Sequence, residues 1–337
     1  MIAVMGAVVL PLVWLTAVGK AQMEVGVVER GAHLLLSSGS PYQETPHEVR
    51  DFNPYLPGMS LFGIPHALFG DGLLASARCW LVLGFLAVLF GAGRIVKKGG
   101  SSTAGRRAPG SWALWLTACP LVALPLAIGG VDPPVVALVC LALTCAHFGL
   151  PGRAGLALGA AAALKWTAWP AVPVVIILLA GRGGGRDAVK CATGAAGAAL
   201  AAVLPVALAD GRGFMENVVR YPFGLSDTPS TAASPLPGRL IATGLPHGKA
   251  VAVALLVLAA LAIGMSLLLR PPRHAIAAAD RLTMGLTLAI ALAPASRVGY
   301  AIYPILLLAW PRLLLLSSVR PASPRAAIAD RSLTQPV

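Results

Sequence analysis

The sequence predicts an all-α polytopic membrane protein, one transmembrane domain over 1–337 with about ten transmembrane helices and two long extracytoplasmic loops. Three observations predict it. With 57% hydrophobic residues, 12% charged residues and a mean hydropathy of +0.79, the chain is too apolar for a water-soluble domain of its size. Apolar runs recur at lengths close to the roughly 20 residues that a bilayer crossing needs. The basic residues fall in short runs between those segments, which is the pattern of membrane topology. A formal charge of +13 and a pI near 10.2 would otherwise raise nucleic acid as a partner. Nucleic acid is not expected here, because such binding needs a basic face with polar neighbours.

The expected spans run over 1–19, 73–93, 111–129, 134–150, 154–167, 170–181, 188–208, 249–269, 282–296 and 300–318. The first lacks the basic leader region of a signal peptide and is read as a retained span. Placing both termini inside assigns sixteen of the 26 Lys and Arg residues to the cytoplasmic side, with three of the 13 acids, Asp187, Asp280 and Asp330. That asymmetry fixes the orientation. Two long segments then face outward: 20–72, with an interfacial helix, and 209–248. Their length and aromatic content predict an ordered cover over the membrane surface. The Gly/Ser/Thr/Arg/Lys-rich segment 94–110 reads as a cytoplasmic linker, and 319–337 as a cytoplasmic tail. The five cysteines, Cys79, Cys119, Cys140, Cys145 and Cys191, lie in or beside apolar segments and read as packing residues. Gly155 and Gly159, four apart, read as a close helix contact.

The pair 154–167 and 170–181 is irregular. Arg153 and the Arg182 to Lys190 cluster both belong inside, so the apolar run between them must rise and return. From Arg153 to Lys165 a helix climbs only about 18 Å against a hydrocarbon core of roughly 30 Å. The hairpin therefore stops short and opens a hollow toward the outside. Its tip is Lys165-Trp166-Thr167-Ala168-Trp169-Pro170, and a lysine at that depth must face protein, water or an anion.

Four polar groups share the outer side: Glu24 and Glu29 of the first loop, Lys165 at the hairpin tip, Arg220 in the second loop, and Ser296-Arg297-Val298-Gly299-Tyr300 between the last two spans. A carboxylate, several cations and a hollow facing the membrane suit transfer from an anionic lipid carrier, the acid deprotonating an acceptor hydroxyl and the cations stabilising a departing phosphate. From Val25 onward, Val25, Val28, Ala32, Leu35 and Leu36 fall on one helical arc with Glu24 at its edge, although Val27 and Leu34 break the stripe. A helix lying in the interface would hold Glu24 at headgroup level. The bland readings are a solvated acid for Glu24, local pairing of Glu29 with Arg30, a snorkelling Lys165, a solvated Arg220 and an interfacial anchor for Arg297. His33, His47 and His66 have no metal spacing with the acids, so no metal is expected.

The stretch Glu24-Val25-Gly26-Val27-Val28-Glu29-Arg30, with Gly31-Ala32, Leu34-Leu35-Leu36 and Gly39-Ser40-Pro41-Tyr42, resembles the first outer loop of family 87 glycosyltransferases. Asn53-Pro54-Tyr55-Leu56-Pro57 resembles their tyrosine-proline motif, and Ala163-Leu164-Lys165 followed by Pro170 resembles their Ala-Leu-Lys element. The resemblance implies a C-fold enzyme of the bacterial plasma membrane, acting on its outer face. The implied reaction is inverting hexosyl transfer, often mannosyl, from a polyprenyl-phosphate sugar to a glycan or glycolipid acceptor, with no cofactor. It implies Glu24 as the catalytic carboxylate, the base, counted back from Tyr42. Lys165, Arg297 and Arg220 then hold the donor phosphate, and Glu29, Arg30, Asn53, Tyr55 and Tyr300 shape the substrate loops. The chain departs from the family twice: Glu24 stands where an aspartate is usual, and the late outer loop lacks paired histidines. Two rival classes remain, a lipid or small-solute transporter and an inactive relative that only binds lipid-linked sugar; no inverted repeat speaks for the first.

Overall fold

The computed structural model describes residues 2–20, 22–99, 109–228 and 232–315, and among them there are helices and loops but no strand. The helices are α1 (Ile2–Ala17), α2 (Met23–Ser38), α3 (Ile64–Phe69), α4 (Ala77–Gly99), α5 (Pro109–Ala118), α6 (Pro120–Ile128) and α7 (Asp132–His147). They continue as α8 (Pro151–Leu164), α9 (Ala171–Gly183), α10 (Gly185–Ala209), α11 (Pro237–Gly244), α12 (Gly248–Leu269), α13 (Ala275–Leu292) and α14 (Ile302–Leu315). Every expected span holds a helix. Among the described residues, five helices are long and apolar enough to cross a membrane: Ala77–Lys98, Trp166–Gly183, Gly185–Ala209, Gly248–Leu269 and Ala275–Leu292. The tail 319–337 and most of the linker 94–110 lie outside the described residues.

Two expected boundaries are corrected. The run 111–129 is broken into α5 and α6 at Cys119-Pro120, because Pro120 has no N–H to continue the ladder. The helix expected from 282 begins at Ala275. His274 caps it, its Nδ1 accepting the Ala277 N–H at 3.1 Å, and Ala275 to Ala279 include three further alanines, strong helix formers that draw Asp280 and Arg281 onto the helix.

The core centres on α7, whose residues from Pro133 to Ala146 are nearly all buried. Helices α4, α8 and α14 pack around it. By contrast α12 is peripheral, with Leu258, Leu261, Leu268 and Leu269 exposed as a lipid-facing surface. Gly155 and Gly159 sit where α8 meets α10. A Cβ at Gly155 would lie 2.2 Å from the Cys191 carbonyl oxygen, and one at Gly159 2.4 Å from that of Ala195, so the backbones touch as the glycine spacing predicts. All five cysteines are free thiols, with Cys140, Cys145 and Cys191 buried in this packing.

The described parts of both long loops are laced together at one end of the bundle. Asn217, fully buried, donates from Nδ2 to the carbonyls of Gln43 (3.0 Å) and Gly213 (2.9 Å) and accepts the Asn53 N–H at 2.8 Å. Ser40 donates to Asp210 at 2.5 Å, and the rings of Phe52 and Tyr221 stack 4.1 Å apart. The second loop is also stitched to the turn before α14: Ser234 N–H donates to the Ser296 carbonyl (3.1 Å) and Val298 N–H to Ser234 Oγ (3.1 Å).

Candidate active site

Beneath these loops lies a cavity of about 230 Å³ walled by α2, the turn before α7, the tip after α8 and the turn before α14. Glu24, Tyr55, Lys165, Arg297 and Tyr300 all line it, so five of the expected site residues come together.

Gln22 is extended and ends the chain's approach to α2, placing Glu24 in the helix's first turn, where the dipole favours an acid. Val27, which broke the sequence's apolar stripe, is buried one turn further on and lines the same cavity. As far as Ala32, with Leu36 beyond it exposed, the stripe and its exception are two buried faces of one helix. Gly31 permits this: a Cβ there would stand 2.8 Å from Asn53 Nδ2 and from Ser60 Oγ. Glu24 is 8% exposed; its Oε1 pairs with Arg297, and its Oε2 is buried with no hydrogen-bond partner among the described residues. Burial alone would lower the Arg297 pKa, but Glu24, Tyr300 and Tyr55 outweigh it and hold the guanidinium above its ordinary value.

Lys165 leaves α8 in an extended conformation that turns its side chain into the cavity. Its Nζ lies 2.5 Å from Asp132 Oδ1, 4.8 Å from the centre of the Tyr300 ring and 5.5 Å from that of Tyr55. Asp132 in turn accepts from the Tyr303 hydroxyl at 2.8 Å, and Tyr303 shares a 2.5 Å hydrogen bond with Thr167. The Tyr55 segment is clamped over this tip: Leu56 N–H donates to the Leu164 carbonyl (3.1 Å) and the Tyr42 hydroxyl to the Tyr55 carbonyl (3.0 Å). Tyr55 is thus both part of a rigid turn and a cavity wall, and its burial, with Glu24 and Asp132 adding, pushes the phenol pKa well up.

Three expected residues do not reach the cavity, and Asn53 sits behind it. With Glu24 turned inward, residue 29 falls about 140° around the helix at 100° per residue. Glu29 therefore faces α4, where it accepts from Ser76 Oγ (3.1 Å) and from the Ala77 N–H (2.9 Å), capping that helix rather than pairing with Arg30. Arg30 instead donates to the Arg50 carbonyl. Arg220 is drawn away by Glu216, four residues earlier on the same turn of helix, at 3.3 Å, and donates to the Leu225 carbonyl at 3.2 Å. Asn53 is buried as a loop-to-loop strut.

Sequence reasoning missed Asp132. It is the only acid between Asp71 and Asp187, and it opens an apolar helix at Val131-Asp132-Pro133-Pro134. That isolation was a usable signal, since a carboxylate heading a buried helix needs a partner. The cavity therefore carries two acid–cation pairs, Glu24 with Arg297 and Asp132 with Lys165, and is close to electroneutral when empty of other charge.

Helices long and apolar enough to cross a bilayer, with an end cavity set with two carboxylates and two cations, define a polytopic membrane protein with a charged site at one end. The family model of Glycosyltransferase family 87 matches residues 53–296, and the chain belongs to that family. It is a membrane glycosyltransferase. No curated protein and no solved structure matches the chain. The matched residues take in Tyr55, Asp132 and Lys165, end immediately before Arg297 and begin well after Glu24.

Proposed function

We propose that the protein is an inverting hexosyltransferase, mannosyl by its resemblance, that moves a sugar from a polyprenyl-phosphate carrier to a lipid- or glycan-linked hydroxyl. It works on the outer face of the bacterial plasma membrane, with about ten crossings in a C-fold arrangement and no cofactor. The observation that supports this reading most is the free, buried Oε2 of Glu24 in the same small cavity as Lys165 and Arg297. Glu24 takes the acceptor hydroxyl's proton as that oxygen attacks C1 of the sugar, and the C1–O bond to phosphate breaks on the opposite face. The phosphate departs as a monoester whose new charge is met by Arg297 and Lys165. Phosphate is a weak base, so no general acid is needed to release it. Tyr55 and Tyr300 wall the cavity beside Lys165 and exclude water from the reacting carbon.

The experiment is transfer by the purified protein in lipid, supplied with a polyprenyl-phosphate mannose and a glycolipid acceptor. Glu24→Gln is expected to lower turnover by about 10²–10⁴-fold, the usual worth of a general base. Unchanged turnover in that variant removes the assignment. Donor binding without product in the wild type would favour the inactive-relative reading, and donor counterflow in sealed vesicles the transporter.

A further inference from the structure

A second set of charged side chains converges at the other end of the bundle. Helix α13 leads from its last residue, Leu292, into the turn that carries Arg297, and its 18 residues put its first turn about 27 Å away from that turn. There α12 and α13 are joined by Arg270-Pro271-Pro272-Arg273-His274, and a cavity of about 480 Å³ is lined by Arg270, Arg273, His274 and Arg281 with Leu269 and Pro272. No carboxylate lines it. The nearest acid in sequence, Asp280, is engaged by Arg312 at 2.8 Å, and among the described residues none of the three arginines forms an ion pair.

Two details separate this cluster from ordinary flanking charge. Arg281 is half-buried, and its Nη1 is shut off from solvent with no hydrogen-bond acceptor among the described residues. Bare guanidinium N–H groups are costly to bury, and like charges brought to one cavity repel, so the arrangement gains only if an anion joins it. His274 adds a donor: its Nδ1 accepts the Ala277 N–H, which leaves the ring proton on Nε2. The positive-inside rule accounts for cations at this end of the chain, but it does not call for their convergence on one cavity.

We propose that this pocket binds the phosphate of an anionic membrane phospholipid. Arginine forks match phosphate oxygens in geometry and charge, and basic pockets between helix ends take anionic headgroups. The acyl chains have a surface waiting: Met265, Leu268 and Leu269 on the last turns of α12 are 55%, 71% and 74% exposed directly beside the arginines. A soluble phosphate would use the arginines but not that surface.

The test uses the full chain purified in an uncharged detergent, with the thermal unfolding midpoint followed during titration with short-chain phosphatidylglycerol, phosphatidylcholine or inorganic phosphate. Phosphatidylglycerol is expected to raise the midpoint saturably, and the other two to leave it unmoved at the same concentrations. Arg270→Gln and Arg273→Gln are each expected to weaken the apparent affinity roughly fivefold, and the Arg270→Gln/Arg273→Gln double variant to lose most of the response. Arg94→Gln, at an arginine that does not line the pocket and stacks over Phe90, should respond like wild type. Adding Arg281→Gln completes the series where it folds; the exposed pair suffices where it does not. A wild-type response to phosphatidylglycerol that is absent, matched by phosphatidylcholine, or retained in the double variant overturns the proposal. An equal, variant-sensitive response to inorganic phosphate overturns the lipid as the source of the anion.

Discussion

Glu24 and Arg297, 273 residues apart in the chain, meet as an ion pair on one wall of the cavity and so tie the first loop to the last. The pair engages Oε1 and leaves Oε2 turned into buried space. On the proposed reading, Arg297 has two successive partners, since a donor phosphate entering the cavity competes with Glu24 for the guanidinium. Losing that contact would free the carboxylate to act as a base in the complex that needs one. Arg297→Ala should therefore lower kcat/KM for transfer by about 10²–10³-fold, the scale of losing one donor that meets developing charge. Arg297→Lys should recover only part of it, because an ammonium lacks the planar fork. Steady-state kinetics with varied donor checks both; equal rates in all three proteins would remove Arg297 from the reaction.

The Asp132–Lys165 pair predicts a stability effect of different shape. Both side chains are largely buried, and breaking such a pair from one side leaves an uncompensated charge. Asp132→Asn or Lys165→Met should each cost about 3–5 kcal/mol in unfolding. The double variant Asp132→Leu/Lys165→Met should regain most of that stability, since a packed apolar pair can match a buried ion pair, while transfer stays lost. Thermal midpoints beside activity in the same detergent decide it. A double variant as unstable as the singles would mean that Tyr303, which holds Asp132, and Thr167, which holds Tyr303, carry the stability instead.

Asn217 is the strut between the loops, and Asn217→Ala removes two donated hydrogen bonds and one accepted bond at a fully buried site. The Gln43 carbonyl and the Asn53 N–H would be left unpaired, at about 1–3 kcal/mol each. The loops should open first. Limited proteolysis is expected to cut the variant between 40 and 53 well before the wild type, and protection equal to wild type would show that other contacts hold the cover.

Much of this was legible in the chain. Each expected span contains a helix because long apolar runs have few other solutions, and Lys165 was found because the arm rising from Arg153 is too short to cross and buries its tip, although the returning arm, Trp166–Gly183, is long enough. Helix ends were less legible: α13 starts seven residues before its apolar run because one histidine caps it. The acids were harder still. Glu24 and Glu29 look alike in sequence, and only the roll of α2 about its axis sends one to the cavity and the other to cap α4. The partners of Lys165, Asn53 and Phe52 are Asp132, Asn217 and Tyr221, set 33 or more residues away. Such pairings are fixed by the packed bundle and leave no local period to read.

The loops also predict a dependence on pH. Tyr42 is buried with its hydroxyl bound to the Tyr55 carbonyl, and burial, with the Asp210 carboxylate adding, pushes its phenol well above the ordinary value near 10. Burial does the same to Tyr55. A phenol whose folded pKa is raised above its unfolded value holds its proton more tightly when folded. Its stabilising contribution is whole below about pH 10, where both states are protonated, and is lost as pH rises further and the unfolded chain ionises first. The part of the thermal midpoint that these two tyrosines carry should thus stay level from about pH 7 to 9 and fall above about pH 10. Tyr42→Phe should cost about 1 kcal/mol at neutral pH for the lost hydrogen bond. It should also shallow the alkaline fall, and Tyr42→Phe/Tyr55→Phe should shallow it more. An alkaline limb of unchanged slope in the double variant would assign that loss of stability to other groups, the lysines first among them.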